Sequence, residues 1–191
     1  MKPVKQIENE LQNWISKKRY EHSFSVAKTC EKLAVSHNED VKKAYLAGLV
    51  HDCAKELSPA LCEQHNIIMT NKYESLFIDF PSIWHALVVD QIASYLFDIE
   101  DKEVLNAAKW HTTGTQKMTK LAKIVFIADY IEPLRTYITD RNELTTLANN
   151  SLDKAVLAIV KKTINNLLKS GRTIYSATID CYNEAVTIDC I

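Results

Sequence analysis

The feature that most constrains this chain is a helical periodicity that persists across nearly all of its 191 residues. Leu152, Ala155, Val156, Ile159, Val160, Ile164, Leu167 and Leu168 fall three and four apart, as one face of a long helix requires. Ile7, Leu11, Trp14 and Ile15 form a shorter stripe, and Val26, Cys30, Leu33 and Ala34 another. No segment alternates apolar and polar residues over a strand's length between turn signals. The spacing therefore predicts one all-α domain, a helical bundle over residues 1–191.

Start and stop signals divide the stripes. Asn38 or Asp40 can cap a helix through Val41, Ala44, Tyr45, Gly48 and Leu49 into His51-Asp52. Ser58-Pro59 and Pro81-Ser82 read as helix starts, the second opening a helix with Trp84, Leu87, Val88, Ile92 and Leu96. Asp101 opens a helix reaching Trp110, and Thr119 caps Leu121 to Ile131, which Pro133 stops. Ser170-Gly171 ends the longest stripe, a last helix covers Ala177 to Val186, and residues 134–143 read as a looser stretch.

Several classes are excluded or disfavoured. A formal net charge of -1 gives no electrostatic argument for nucleic acid or a membrane as partner. Three glycines leave no room for a glycine-rich phosphate loop, and no apolar run approaches the roughly 20 residues of a membrane span. The basic start Met1–Gln6 is followed by no apolar segment, so no signal peptide is expected. Five cysteines without a Cys-x-x-Cys pair suit reduced thiols in a cytoplasm, with Cys30 and Cys53 in the core and Cys190 exposed.

Some polar residues do not belong on apolar faces. His51-Asp52 ends the run Ala44–Val50, where an ionised carboxylate loses several kcal/mol of hydration unless something compensates it, at roughly that order for buried ions. Asp129 lies three and four residues beyond Phe126 and Val125, on their face of a helix apolar nearly all round. It needs a cation or several hydrogen bonds, and a salt bridge to Arg135 would also serve. His22 is placed at the start of a helix, His85 in a first turn, and His111 at a helix end. Each histidine alone fits an ordinary structural role. His37 and His65 stand in polar surroundings and are assigned to solvent.

Taken together, His22, His51, Asp52, His85, His111 and Asp129 make a set that two divalent cations would use well. The imidazoles give affinity, and the carboxylates bridge and neutralise charge. Ligands from separate helices converge in the core of a bundle.

The order His, His-Asp, His, His, Asp on successive helices resembles the HD-domain metallophosphohydrolases in their dinuclear form. The segments Arg19–Ser23, His51–Leu57, His111–Gly114 and Ala128–Pro133 are similar, more narrowly, to the YqeK-type bacterial symmetrical diadenosine tetraphosphatases. The resemblance runs from about Arg19 to about Asn183. It implies a single-domain bundle of the HD type, with a core over about 19–135 completed by C-terminal helices. It also implies hydrolysis of diadenosine tetraphosphate to two ADP, with two metal ions, iron first and manganese or cobalt as alternatives. By the family motif His22, His51, Asp52 and Asp129 hold one metal, and Asp52 bridges to a second on His85 and His111. The chain departs from the family at Leu134, where glycine is usual, in the loop 136–140, and in the bulkier run Ala86–Val89.

Asp52 and Lys55 are the catalytic candidates. Lys55 falls on the face of His51 and Asp52 if their helix continues, where it would meet a phosphate oxygen or the leaving group; a solvent-facing lysine paired with Glu56 is the alternative. Arg19, Lys55, Thr112, Thr113, Gly114 and Arg135 are the candidate substrate contacts. Arginine suits bidentate phosphate binding, and the Thr-Thr-Gly turn offers hydroxyl and N–H groups. A helix C-terminal turn with a left-handed glycine explains that turn equally well. The partner expected is a small nucleotide, with no nucleic acid or membrane, and a homodimer stays open. Rival readings are another HD-domain activity (nucleotidase, deoxynucleotide triphosphohydrolase, cyclic-nucleotide phosphodiesterase) or a nucleotide-binding regulatory module.

Overall fold

The computed structural model describes residues 2–67 and 71–189; Cys190, expected at the surface, lies outside them. Eleven helices and no strand occur among the described residues. They are α1 (Val4–Trp14), α2 (Lys17–Ser36), α3 (Val41–Val50), α4 (Pro59–Gln64), α5 (Asn71–Asp79), α6 (Trp84–Phe97), α7 (Lys102–Lys109), α8 (Lys120–Ile131), α9 (Arg141–Asn150), α10 (Leu152–Lys169) and α11 (Ser176–Asp189). None is long and apolar enough to cross a membrane. The all-α expectation is met.

The caps explain most boundaries. Asp40, not Asn38, caps α3, accepting from the N–H groups of Lys42 and Lys43; Asn38 instead takes a left-handed conformation with φ 51°. Asp101 and Thr119 cap α7 and α8 in the same way, and Ser58 caps α4 with Pro59 at its first position. α1 lacks a side-chain cap, a deficit of about 1 kcal/mol. Complete burial of Ile7 and Leu11, at roughly 1.5–3 kcal/mol each, outweighs it.

The structure corrects four local expectations. His22 does not begin a helix; Ser16 caps α2 through the Arg19 N–H, so His22 stands in its second turn. Pro81-Ser82 form a turn, and α6 begins at Trp84 after Ile83, which makes no side-chain cap bond. The stretch 134–143 is loose only to Asp140, because α9 starts at Arg141 and buries Leu144 and Ala148. His37 is not free in solvent: its Nε2 lies 2.7 Å from the Ala148 carbonyl oxygen, linking α2 to α9, whereas His65 is exposed as expected.

α3 is the centre of the bundle, buried at every residue from Ala44 to Val50. It lies along α2 and touches α7 and α8, while α10 packs on α8, α9 and α11. The α2–α3 approach requires Gly48: a Cβ there would meet Cys30 Sγ at 2.7 Å and Ala27 Cα at 3.0 Å. Cys30, Cys53, Cys62 and Cys181 are all buried free thiols. This packing brings the ends of α3, α7 and α8, the start of α6 and the second turn of α2 to one place.

Candidate metal centre

Four imidazoles and two aspartates meet there. α3 ends at Val50, so His51 is its C-cap and Asp52 begins a run of turns through Glu56. His51 Nδ1–H donates to the Gly48 carbonyl at 2.6 Å, and His111 Nδ1–H donates to Ala108 O at 2.7 Å. Each ring thereby satisfies a carbonyl that its helix end leaves unpaired, and each presents Nε2 inward. His22 Nδ1 is held by Glu132 Oε1 at 3.1 Å.

Asp52 is the hinge of the arrangement. Its Oδ2 lies 3.7 Å from His22 Nε2 and 3.6 Å from His51 Nε2. Its Oδ1 lies 3.2 Å from His85 Nε2 and 3.5 Å from His111 Nε2. Asp129 Oδ1 faces the first pair, 3.1 Å from His22 Nε2 and 3.5 Å from His51 Nε2. The ligand atoms of His22, His51 and Asp129 lie within 4.8 Å of one another, as do those of His51, Asp52 and His111.

The donor set fits divalent cations. Among the described residues, buried His22 Nε2, His51 Nε2 and Asp52 Oδ1 have no hydrogen-bond partner. Buried polar atoms rarely stay unpaired, and three convergent lone-pair donors are what coordination would satisfy. Nitrogen and carboxylate donors with no thiolate suit iron, manganese, cobalt or zinc.

The electrostatics follow from burial and pairing. Burial pulls the His22 imidazole down, but the adjoining carboxylates of Asp129 and Glu132 raise it to about 9. Burial drives His51 below its ordinary value and His85 down to about 4. Burial pushes Asp52 up, yet His51, His111 and His85 hold it well below the usual carboxylate range. Asp129 is likewise opposed by burial and held low by His22, His51 and Arg135.

Cations ring the aspartates. Arg19 Nη1 donates to Asp52 Oδ2 at 2.7 Å, and Arg135 Nη2 donates to Asp129 Oδ1 at 2.5 Å. Neither α3 nor α8 extends to carry Lys55 or Arg135 on a helix face; both reach the cluster from turns. Lys55 Nζ lies 3.0 Å from His85 Nε2, and burial lowers its affinity for a proton. Its neighbour Glu56 is not its partner but accepts from the Ser16 N–H and hydroxyl.

The Thr-Thr-Gly turn divides. Thr112 Oγ1 reaches to 3.5 Å from His85 Nε2. Thr113 is buried with its hydroxyl on Gly114 O, and the Gly114 N–H bonds to Trp110 O. Gly114 has φ 62° and lies against Cys181, so the turn holds α7 to α11, and Thr112 is its member at the cluster. Sequence reasoning missed Glu132, only 1 % exposed, which holds His22 and accepts from the Leu134 N–H at 2.7 Å. A carboxylate between apolar Ile131 and helix-stopping Pro133 was the available signal.

Comparison with known proteins agrees with this architecture. The family model described as HD domain matches residues 19–134. A Staphylococcus aureus protein named bis(5'-nucleosyl)-tetraphosphatase, symmetrical, is 41% identical over 172 residues, covering 88% of this chain and 87% of its own. A Bacillus subtilis protein of the same name is 32% identical, over 91% and 92% of the two chains. A crystal structure of a Clostridium acetobutylicum protein, described as a predicted HD superfamily hydrolase involved in NAD metabolism, superposes with TM-score 0.86 at 36% identity, covering 98% of each chain. Helices, clustered histidines and aspartates, and relatives agree that the chain belongs to the HD domain family, in the branch named for symmetrical bis(5'-nucleosyl)-tetraphosphatases.

Proposed function

We propose that the protein hydrolyses symmetrical dinucleoside tetraphosphates, diadenosine tetraphosphate foremost, into two nucleoside diphosphates. The observation that carries this reading is the division of Asp52, whose two oxygens face two different histidine pairs. The names of the Staphylococcus and Bacillus relatives supply the substrate class.

In this proposal His22, His51, Asp52 and Asp129 hold one divalent cation, and Asp52, His85 and His111 hold a second, with iron first among the candidates. Bound divalent cations supply an acidified water and neutralise phosphate charge. The water oxygen bonds to phosphorus at one side of the central anhydride. The bond to the bridging oxygen breaks, that oxygen leaves with the electron pair on a nucleoside diphosphate, and the water's protons pass to the departing oxygen and to solvent.

The chain's own residues do the positioning that phosphoryl transfer mostly needs. Lys55 extends its ammonium beside His85 and can meet the departing oxygen. Arg19 and Arg135, both reaching the cluster's aspartates, can each grip a phosphate with a second guanidinium nitrogen. Thr112 offers a hydroxyl at the same edge. We further propose that the chain acts as one domain in the cytoplasm, where its buried thiols stay reduced.

One assay tests the reaction. Protein purified without chelator is analysed for metal, incubated with diadenosine tetraphosphate, and the products are separated. Two ADP is the expected result. AMP plus ATP, or no turnover with iron, manganese or cobalt, overturns the proposal.

A further inference from the structure

A cleft of about 470 Å³ opens beside the metal centre, between the end of α8, the turns after Pro133 and the C-terminal half of α10. Arg135 joins the two: it lines the cleft, while its Nη2 bonds Asp129 and its Nη1 lies 3.4 Å from the Tyr137 hydroxyl. Tyr130, the residue after Asp129, forms part of the wall.

The cleft brings together an aromatic ring, two amides and cationic side chains. Tyr137 is 70 % exposed and presents a ring on which a base can stack. Asn165 and Asn166 project side-chain amides that carry both donors and acceptors, the groups that read a base edge. Arg135, Lys162 and Lys169 bring three cations to the lining, of which Arg135 pairs with Asp129 and Lys162 with Asp140 at 2.7 Å, the one carboxylate among the lining residues. The volume lies within the roughly 300–1,000 Å³ of small-molecule sites.

Two other cavities lack this combination. The one beside Trp14 and His65 contains Glu56 and no lysine or arginine, and would repel phosphate. The one beside Lys120 and Asn150 shares no residue with the metal centre.

We propose that this cleft is a nucleoside subsite, seating one base of the substrate on Tyr137 with its phosphates running past Arg135 to the metal centre. The assignment rests on the proposed reaction and adds the place where one half of the dinucleotide is held. It makes Tyr137, Asn165 and Asn166 determinants of specificity for a second nucleoside.

The test compares diadenosine tetraphosphate with adenosine 5'-tetraphosphate, which lacks one nucleoside and can seat its own on either side. For Tyr137→Ala the KM for the dinucleotide should rise about tenfold, as loss of one stacked base predicts, and for Asn166→Ala, which removes one base-edge amide, it should rise as well. The KM for the mononucleotide should rise far less, and Tyr137→Phe, which keeps the ring, should recover most of the affinity that Tyr137→Ala loses. Thermal melting checks that the fold is kept, as expected for exposed side chains. Equal changes for both substrates, or no change for either, overturn the subsite. If metal-loaded wild type turns over neither compound, the proposed reaction fails, and ADP binding by calorimetry decides the cleft. Affinity about tenfold weaker in Tyr137→Ala keeps a nucleotide site there, and unaltered affinity removes it.

Discussion

Glu132 Oε1 accepts a hydrogen bond from His22 Nδ1 at 3.1 Å, fixing from the end of α8 the orientation of a ring carried by α2. Such a partner sets both the tautomer and the direction of a coordinating imidazole, and its loss typically lowers metal affinity about 10–100-fold. Glu132→Ala should therefore weaken metal binding by about that factor. Glu132→Gln, which keeps an acceptor, should lose less. Competition against a chelator of known affinity measures both variants. Unchanged affinity in Glu132→Ala would show that His22 needs no such support.

The same carboxylates predict a proton count. His22 is raised to about 9, so without metal it is protonated at pH 7, whereas His51 and His85 are held below their ordinary values and are neutral there. Coordination through His22 Nε2 must displace that proton, so metal binding at pH 7 should release about one proton from this residue. Affinity should then climb from pH 7 towards 9 and flatten above it. Calorimetry of manganous ion binding in two buffers of different ionisation enthalpy reads the release directly. Affinity independent of pH across that window would exclude His22 from the ligand set.

Asp52 and Lys55 should separate binding from turnover. Asp52→Ala removes the one carboxylate facing both histidine pairs and leaves Arg19 uncompensated, so the protein should lose metal and activity together. Lys55→Ala should keep its metal and slow turnover on the order of 100-fold, the usual effect of removing one electrostatic stabiliser. Metal analysis and steady-state rates distinguish them. Full activity in Asp52→Ala would end the bridging assignment.

Asp52 and Asp129 were legible because each is anomalous in an apolar run, as Asp129 is beside Phe126 and Val125, whereas the histidines were legible only as members of the joint set. Their supports were less so. Glu132, between Ile131 and a helix-stopping proline, gives only a weak signal, because its partner His22 lies 110 positions away in sequence. α9 fully buries Leu144 and Ala148 and half-buries Leu147 against the core, a stripe of one turn that is too short to signal a helix by periodicity. His37 reads as a solvent residue because the Ala148 carbonyl that meets it belongs to that same unsignalled helix.

Gly48 links the packing of the bundle to the metal centre. A helical glycine replaced by alanine ordinarily gains about 1 kcal/mol. Here the new Cβ would meet Cys30 Sγ at 2.7 Å, Ala27 Cα at 3.0 Å and Ala27 N at 3.2 Å. Two of those atoms are backbone and cannot turn aside, so α2 and α3 must separate, and overpacking of this kind costs about 1–3 kcal/mol or more. Gly48→Ala should therefore lower the denaturant midpoint. It should also weaken metal binding, because the Gly48 carbonyl holds His51 Nδ1. Adding Cys30→Ala should recover part of the stability by removing the sulfur contact while leaving the backbone one. Gly171→Ala is the control: it has φ 61° with nothing within 4 Å of a Cβ, so only backbone strain of about 1–2 kcal/mol acts, with metal affinity unchanged. A rise in midpoint for Gly48→Ala would mean that α2 and α3 do not approach this closely in solution.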